Sequence, residues 1–419
     1  MKFTENHNNS KAAKELDRQD TLRGLQDEFI YPEGDNVLYF CGHSLGLIPK
    51  KTKEYVKQEL ENWEKMAVEG HFSANPPWYS YHEVLTDQTA RLLGATSKEV
   101  VVMNGLTVNL HLAMVTFYRP TKKRFKILIE NNTFPSDHYA VFSQARIHGF
   151  DPKEAVVELV SKPGEMTVDP QTILQTIEEL GDSLALVMLG NCNYLSGQAF
   201  DMQTITNKAH SVGALAGFDL AHGAGNLLMK LHDWQVDFAV WCSYKYLNAG
   251  PGGAGGFYVH EKHLGKKDIP RLEGWWGHDK KNRFKMSPVF EPIPTAEAWQ
   301  LSNPPIFQLA ALRASMEIFD RAKIENLHKK SVVLTNYLEF LLRENCADFA
   351  KIITPKDRGA MLCLRIAGNT KIVDSFLEKG IYCDFRSPDI LRITPAPLYT
   401  SFTDVYRLVE VIASETSRN

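Results

Sequence analysis

A lysine, Lys245, stands between an apolar run and a glycine-rich loop in the stretch WCSYKYLNAGPGGAGGFYV, residues 241–259. Burial makes a lysine amine lose its proton readily, and the free amine forms a Schiff base with an aldehyde. Upstream, the apolar run ALAGFDL (214–220) carries Asp219 near its end, with Ala221, His222 and Gly223 following. A carboxylate held there can keep a heterocyclic nitrogen protonated. In open α/β sheets ligands bind outside the carboxyl ends of the strands, so an acid and an amine at two such ends face one crevice. The same two residues also suit a structural ion pair, and the pair alone leaves both readings open.

Two further features lie at ends of the same kind. The segment NGLTVNLHLAMVTFY (104–118) begins with Asn104 and Gly105 and puts Thr107 at the expected helix N-cap, ahead of apolar residues at 108, 110, 112, 114, 115 and 117. A helix start offers unpaired N–H groups and a positive dipole end, which suits a phosphate. After the apolar run KILIE (126–130) comes NNTFPSDHYA (131–140). There Phe134 is placed to stack on a flat ring, and Pro135, Ser136 and Asp137 predict a polar turn at the same edge. An aldehyde on a flat heterocycle that also carries a phosphate meets all these features, and that describes pyridoxal phosphate (PLP).

Such residues need a scaffold that lines up strand ends. From residue 100 to 260 the short apolar runs KILIE (126–130), ALVMLG (185–190), ALAGFDL (214–220), DFAVWCS (237–243) and GGFYVH (255–260) alternate with helix-like segments. Runs apolar on both faces, separated by crossovers, predict an α/β domain whose mostly parallel central sheet is covered by helices. After a proline-rich stretch at 290–306 the pattern changes to long amphipathic helices and then two strands, AMLCLRI and DILRITP, which predict a smaller α+β domain. The expected division is an N-terminal segment, 1–70, joining the small domain, a large PLP-binding domain, 71–300, and the small C-terminal domain, 301–419.

Composition narrows the function classes. The chain has 419 residues, of which 44% are hydrophobic and 23% charged, with a net charge of -3, so it lacks the basic footprint of a nucleic-acid binder. Its six cysteines are scattered without a C-x-x-C pair and read as small buried hydrophobes in a reducing compartment. The polar N-terminus has no signal-peptide core, and no apolar run approaches the ~20 residues of a membrane span, so a cytoplasmic protein without a membrane partner is expected. The 14 histidines show no H-x-x-x-H or H-E-x-x-H spacing, and no metal is expected.

Over nearly its whole length the chain resembles the kynureninases, PLP enzymes of the aspartate aminotransferase fold family, fold type I. The resemblance is carried by YFCGHSLGLIPK (39–50), TVNLHLAMVTFYRPT, FPSDHYAVFSQ, GFDLAHGAGN, LHDWQVDFAVWCSYKYLNAGPGG, GWWGHD, RFKM, SNPPI and LRITPAPLYTSF (391–402). Of these, FDLAH and SYKYLNAG together are the most specific. The resemblance implies that Lys245 carries PLP in Schiff-base linkage and that Asp219 pairs with the pyridinium nitrogen. It implies that His222 sits beside the cofactor, that Phe134 stacks on the ring, and that Leu106, Thr107, Pro135, Ser136, Asp137 and Tyr244 fix the cofactor and its phosphate. Trp275 of GWWGH and Asn303 of SNPPI match positions that enter the site from the second subunit of a homodimer. Arg392 of LRITP matches the arginine that clamps the substrate α-carboxylate, and Ser44 of GHSLG is placed among the substrate contacts.

The implied reaction is hydrolysis of the Cβ–Cγ bond of L-kynurenine to anthranilate and L-alanine, a step of tryptophan breakdown and NAD biosynthesis. Lys245 would take the α-proton, and Tyr244 is the candidate donor for later proton transfers. His71 of VEGHF, Ser302 and Asn303 are polar residues for the aryl ring, and they raise the expectation that 3-hydroxykynurenine is a good substrate. Two positions depart from the family pattern: His43 replaces the asparagine of G-N-S-L-G, and Gly190 stands where relatives often carry a hydroxyl residue near the phosphate. Rivals on the same scaffold are a class V aminotransferase and a cysteine desulfurase. The latter needs a nucleophilic cysteine on a mobile loop, whereas Cys346 and Cys363 lie in helix-like and strand-like contexts. A PLP-binding protein without catalysis would lack a carboxylate clamp, and Arg392 speaks against it.

Overall fold

The structure is a computed structural model that describes residues 2–416 except 163, 349 and 367–370. Its larger sheet has seven strands: β1 (Val100–Val102), β2 (Lys126–Glu130), β3 (Val156–Leu159), β4 (Leu184–Gly190), β5 (Leu215–Asp219), β6 (Phe238–Trp241) and β7 (Gly256–Val259). They run in the order β1-β7-β6-β5-β4-β2-β3. Pairs β2/β3, β2/β4, β4/β5 and β5/β6 are parallel, while β7 is antiparallel to both β6 and β1.

Alternate residues of each strand feed two cores. Ile127 and Ile129 of β2 and Leu186 and Met188 of β4 pack into one cluster, whereas Leu128, Val187 and Leu189 pack into another. Side chains alternate across a strand, so a sheet covered on both faces demands runs that are apolar throughout, and KILIE and ALVMLG are such runs. The expected α/β architecture with a mostly parallel sheet is what forms. Strands β1 and β3 have no counterpart among the sequence-predicted runs. From β2 the chain goes outward to β3, then crosses to β4 on the other side, so the topological switch lies between β2 and β4.

The helices needed below are α1 (Ser10–Gln19), α2 (Leu106–Phe117), α3 (Pro135–Ile147), α4 (Ile306–Ala322), α5 (Ile324–Asn345) and α6 (Phe402–Thr416). A second, antiparallel sheet contains β8 (Ala350–Ile352), β9 (Leu362–Ile366), β10 (Asp384–Arg386) and β11 (Ile390–Ile393) in the order β8-β9-β11-β10. Its core joins Leu362, Leu364 and Leu391 to Leu338 and Leu341 of α5, Val405 and Leu408 of α6, and Ala13 and Leu16 of α1. The Asp17 carboxylate of α1 accepts hydrogen bonds from the backbone N–H groups of Phe402 (2.7 Å) and Thr403 (3.1 Å), and so caps the start of α6. Residues Leu38–Tyr39 pair in parallel with Ile381–Tyr382, after which the chain runs on to the edge of the larger sheet. Among the described residues no helix is long and apolar enough to cross a membrane.

Candidate active site

A pocket opens at the carboxyl edge of the larger sheet, lined by segments that follow β1, β2, β4, β5 and β6. Leu106, Thr107, Phe134, Ser136, Asp137, Asp219, His222, Tyr244 and Lys245 all line it. Parallel strands bring these residues together because each ends on the same side of the sheet.

One end of the cavity is built for an anion. Helix α2 starts at Leu106 behind Gly105, and α3 starts at Pro135 behind Phe134; neither cap residue supplies a side-chain bond to the first turn. The first turn of α2 therefore keeps unpaired N–H groups, whereas in α3 Pro135 has no N–H and the Asp137 N–H bonds the Phe134 carbonyl at 2.9 Å; each start keeps its positive dipole end. The hydroxyls of Thr107 and Ser136 meet there at 2.6 Å. Two expectations need correction here. Thr107 is the second residue of α2 rather than its cap, because extended Gly105 takes that place and leaves the threonine hydroxyl to meet Ser136. Pro135, Ser136 and Asp137 form the first turn of α3 rather than a polar turn, since proline is preset for the first helical position.

The ionisable groups share this cavity. The Lys245 Nζ lies 5.7 Å from the Phe134 ring centroid and 5.9 Å from that of Tyr244. The loop holding Lys245 is clamped from outside, since the Gly46 N–H donates to the Tyr244 carbonyl at 2.9 Å. Asp219 Oδ1 accepts from the Ala221 N–H at 2.6 Å. Burial, then the neighbouring Asp219 carboxylate, pushes the Asp137 carboxyl well above its usual range; burial also raises Asp219, against the lowering effects of its hydrogen bond with Asp137 and of Lys245, so a proton shared by the pair resides on Asp137. Asp137 Oδ1 and His222 Nδ1 are buried without a hydrogen-bond partner. Burial and then Lys245 hold His222 well below the usual imidazole range, so its ring is neutral. Burial keeps the Tyr244 phenol protonated.

Arg392 lies next to this cavity, on β11 and 2% exposed. The antiparallel register sets Asp384 directly opposite it, and the two form an ion pair. Arg392 Nη1 donates to the Tyr194 carbonyl at 2.8 Å and Nη2 to Ser44 Oγ at 3.3 Å, while Nε is buried without a partner. His43 takes part in the same arrangement, bonding Asp384 Oδ2 at 3.3 Å and Thr394 Oγ1 at 2.8 Å.

Seven sequence-predicted residues do not line this chain's cavity: Pro135, Ser44 and Arg392 lie beside it, and His71, Trp275, Ser302 and Asn303 lie apart from it, with Ser302 and Asn303 exposed. Trp275 is 43% exposed and meets Phe284 at 5.5 Å, Phe284 meets Phe72 at 6.0 Å, and Phe72 neighbours His71 at 6.5 Å. Trp275 and His71 thus belong to one aromatic surface, in which Phe72 and Phe284 are 59% and 57% exposed. Conversely, Glu130, Thr133, Gly190, Cys192, Asn193, Tyr194, Ala221 and Cys242 line the cavity without having been singled out as part of the site, apart from Gly190. Glu130 carried a usable signal, because it ends the apolar run KILIE as Asp219 ends LAGFD. Two groups of metal-ligand type, Glu99 with His232 and His260, and His82 with Glu83 and Glu297, contribute no residue to this cavity.

The residues fit PLP: an amine, a carboxylate, orphaned polar atoms and an anion cradle converge on one space. The architecture agrees. A cysteine desulfurase from Thermococcus onnurineus NA1 has a TM-score of 0.77 to this chain, covering 92% of it and 96% of that structure at 16% identity. The Escherichia coli cysteine desulfurase CsdA scores 0.76, covering 94% and 98% at 20% identity. A C-DES variant with glycine covalently linked to its PLP cofactor scores 0.76, covering 90% and 97% at 17% identity. The fold is therefore that of the fold type I PLP-dependent enzymes.

The sequence comparison is more specific. The chain is 58% identical over 407 residues to a kynureninase of Myxococcus xanthus, covering 96% of each. It is 53% identical over 405 residues to one of Koribacter versatilis, covering 95% of this chain and 96% of that one. It is 44% identical over 426 residues to one of Nematostella vectensis, covering 95% and 92%. Residues 327–412 match the family model described as the kynureninase C-terminal domain. The chain belongs to the kynureninase family, as its motifs implied.

Proposed function

We propose that this enzyme hydrolyses L-kynurenine to anthranilate and L-alanine with PLP held on Lys245. The observation that carries this reading is the convergence of Lys245, Asp219 and two uncapped helix starts on one cavity, in a chain 58% identical to a kynureninase. Thr107, Ser136 and the first-turn N–H groups of α2 would hold the phosphate, Phe134 and His222 would flank the ring, and the Asp219 carboxylate would hold its nitrogen protonated. When bound, PLP supplies an electron sink for negative charge at the substrate carbon next to its amine.

The side chains then divide the work. The Lys245 amine takes the α-proton, a general-base role worth about 10²–10⁴-fold. The Tyr244 phenol, protonated through burial, donates toward the oxyanion formed when water adds to the γ-carbonyl, a contribution of about 3–4 kcal/mol. Arg392 clamps the α-carboxylate, and its unpartnered Nε is the donor left for that task. Trp275 and Asn303 act in the cavity of a second subunit, a proposal supported by the exposed aromatic surface around Trp275. His71, Ser302 and Asn303 would surround the aryl ring there, favouring 3-hydroxykynurenine as a good substrate. A comparison of kcat/KM for the two substrates tests this, and a strong preference for unsubstituted kynurenine contradicts it.

A desulfurase reading lacks its nucleophile in the cavity. Burial pushes the thiols of Cys192 and Cys242 up to about 12 and about 11, so neither is a thiolate at neutral pH. All six cysteines are free, which suits the cytoplasm. The packing of α1 and Leu38 into the core of the second sheet supports an N-terminal segment that joins the small domain, whereas Leu47 and Tyr55, and Leu309 and Phe319 of α4, pack with the larger sheet. Incubation of the purified, PLP-loaded protein with L-kynurenine tests the main proposal. Anthranilate fluorescence and equimolar alanine are expected without any added keto acid; conversion that requires a keto acid, or sulfide released from cysteine in their place, contradicts it.

A further inference from the structure

Glu130 is 3% exposed, ends β2 at the topological switch of the sheet and lines the cavity, yet the mechanism above gives it no task. Its Oε2 accepts a hydrogen bond from Asn193 Nδ2 at 2.8 Å, and its carboxylate also accepts from the Gly190 N–H. A Cβ at position 190 would stand 3.1 Å from Oε1, so the glycine there leaves this carboxylate its room. Asn193 in turn closes the turn after β4: its Oδ1 accepts from the backbone N–H groups of Leu195 (2.9 Å) and Ser196 (2.8 Å). Tyr194 sits between these anchors. Its carbonyl takes the Nη1 hydrogen of Arg392 at 2.8 Å, and its ring meets Phe134 edge-on at 5.3 Å.

We propose that Glu130 is a positioning residue for substrate binding, acting through Asn193 and Tyr194 to hold Arg392 and Phe134 in place on either side of the cavity. Only the ionised carboxylate offers full acceptor capacity to both Asn193 Nδ2 and Gly190 N–H; the protonated acid gives up part of it. Burial pushes the Glu130 carboxyl up to about 7 against the lowering effect of those two bonds. The titratable and charged groups around it are Asp219 on β5, Asp137 on α3, Cys192 after β4 and Lys245 after β6. As pH falls through neutrality Glu130 gains its proton, the Asn193 turn loosens, and substrate binding weakens.

This inference rests on the kynureninase reading. The test uses the PLP-loaded wild type and Glu130→Gln, which keeps the shape but offers one acceptor oxygen. KM for kynurenine is measured across pH 6–8 in both, with the dissociation constant of L-alanine read from the visible absorbance. In the variant both constants are expected to rise about tenfold above neutral pH while kcat changes less than about threefold, as for a lost interaction equal in ground and transition states. The wild-type rise of both constants on the acid side is expected to vanish in the variant. Asn193→Ala removes the same link from the other side, and the double variant is expected to bind no more weakly than the weaker single one. Wild-type-like constants and pH dependence in Glu130→Gln, or a fall in kcat at unchanged KM, overturn the proposal. If Glu130→Gln does not fold, Asn193→Ala decides on the same KM and alanine readings. A wild type inert toward kynurenine sinks the functional reading alone, since alanine binding still reports on Glu130.

Discussion

Replacing Arg392 with lysine keeps the positive charge and removes the fork. In the structure this guanidinium reaches three ways: to the Tyr194 carbonyl at 2.8 Å, to Ser44 Oγ at 3.3 Å and to the Asp384 carboxylate, with Nε buried and still free. An ammonium concentrates its donors at one point, so it can keep the ion pair to Asp384 and cannot also present a second, parallel donor to a substrate carboxylate. A charge-assisted hydrogen bond lost there is worth about 1.5–3 kcal/mol, or about 10–150-fold in kcat/KM. Steady-state anthranilate release from kynurenine measures the effect, with thermal unfolding and the visible absorbance of the bound cofactor as controls, because Arg392 does not line the cofactor end of the cavity. A folded, cofactor-loaded Arg392→Lys enzyme with kcat/KM within about threefold of wild type would refute the assignment of the carboxylate to Arg392.

Three other outcomes follow from the packing and charge. Gly46→Ala places a methyl group against the Lys245 carbonyl oxygen and Asn248 Oδ1; it should displace the lysine loop, weakening cofactor retention on gel filtration and lowering stability by about 1–3 kcal/mol in urea unfolding. Asp237 is fully buried and accepts from His210 and His263 at 2.8 Å each and from Lys262 at 2.7 Å. Burial would raise its carboxyl, but these partners hold it well below the usual range, so its stabilising effect is present above the unfolded value of about 3.9 and is lost as pH falls through its folded value. Asp237→Asn should therefore cost about 3 kcal/mol at neutral pH and converge on wild type in acid, as followed by chemical unfolding at several pH values. Under the proposed second-subunit contact, Phe284→Glu on the exposed aromatic surface should shift sedimentation from dimer to monomer and cut activity at least about tenfold with little change in melting temperature.

Much of this site was legible because its chemistry lies where runs of unlike character meet. Asp219, Lys245 and the Phe134–Asp137 segment each follow an apolar run, and a parallel sheet turns that one-dimensional regularity into a shared edge. Glu130 obeys the same rule and was passed over for want of a partner in sequence; its link to Asn193 spans 63 positions. Strand β1 has only three residues, too few for a pattern. The start of α2 was displaced because threonine is the stronger cap by type, whereas the fold places extended Gly105 there. The opposition of Asp384 and Arg392 depends on strand register, which residue spacing does not fix. His71 was grouped with the site by type and Trp275 by its match to positions that enter from a second subunit, and the single chain keeps both outside its own cavity.

The central claim is that one amine, that of Lys245, holds the cofactor opposite the Asp219 carboxylate. Borohydride reduction of the PLP-loaded enzyme followed by peptide mass mapping tests it most directly. The account predicts a single phosphopyridoxyl group on the peptide containing Lys245, absent from Lys245→Ala; the same group on a different lysine, or none on a protein that hydrolyses kynurenine, would contradict it.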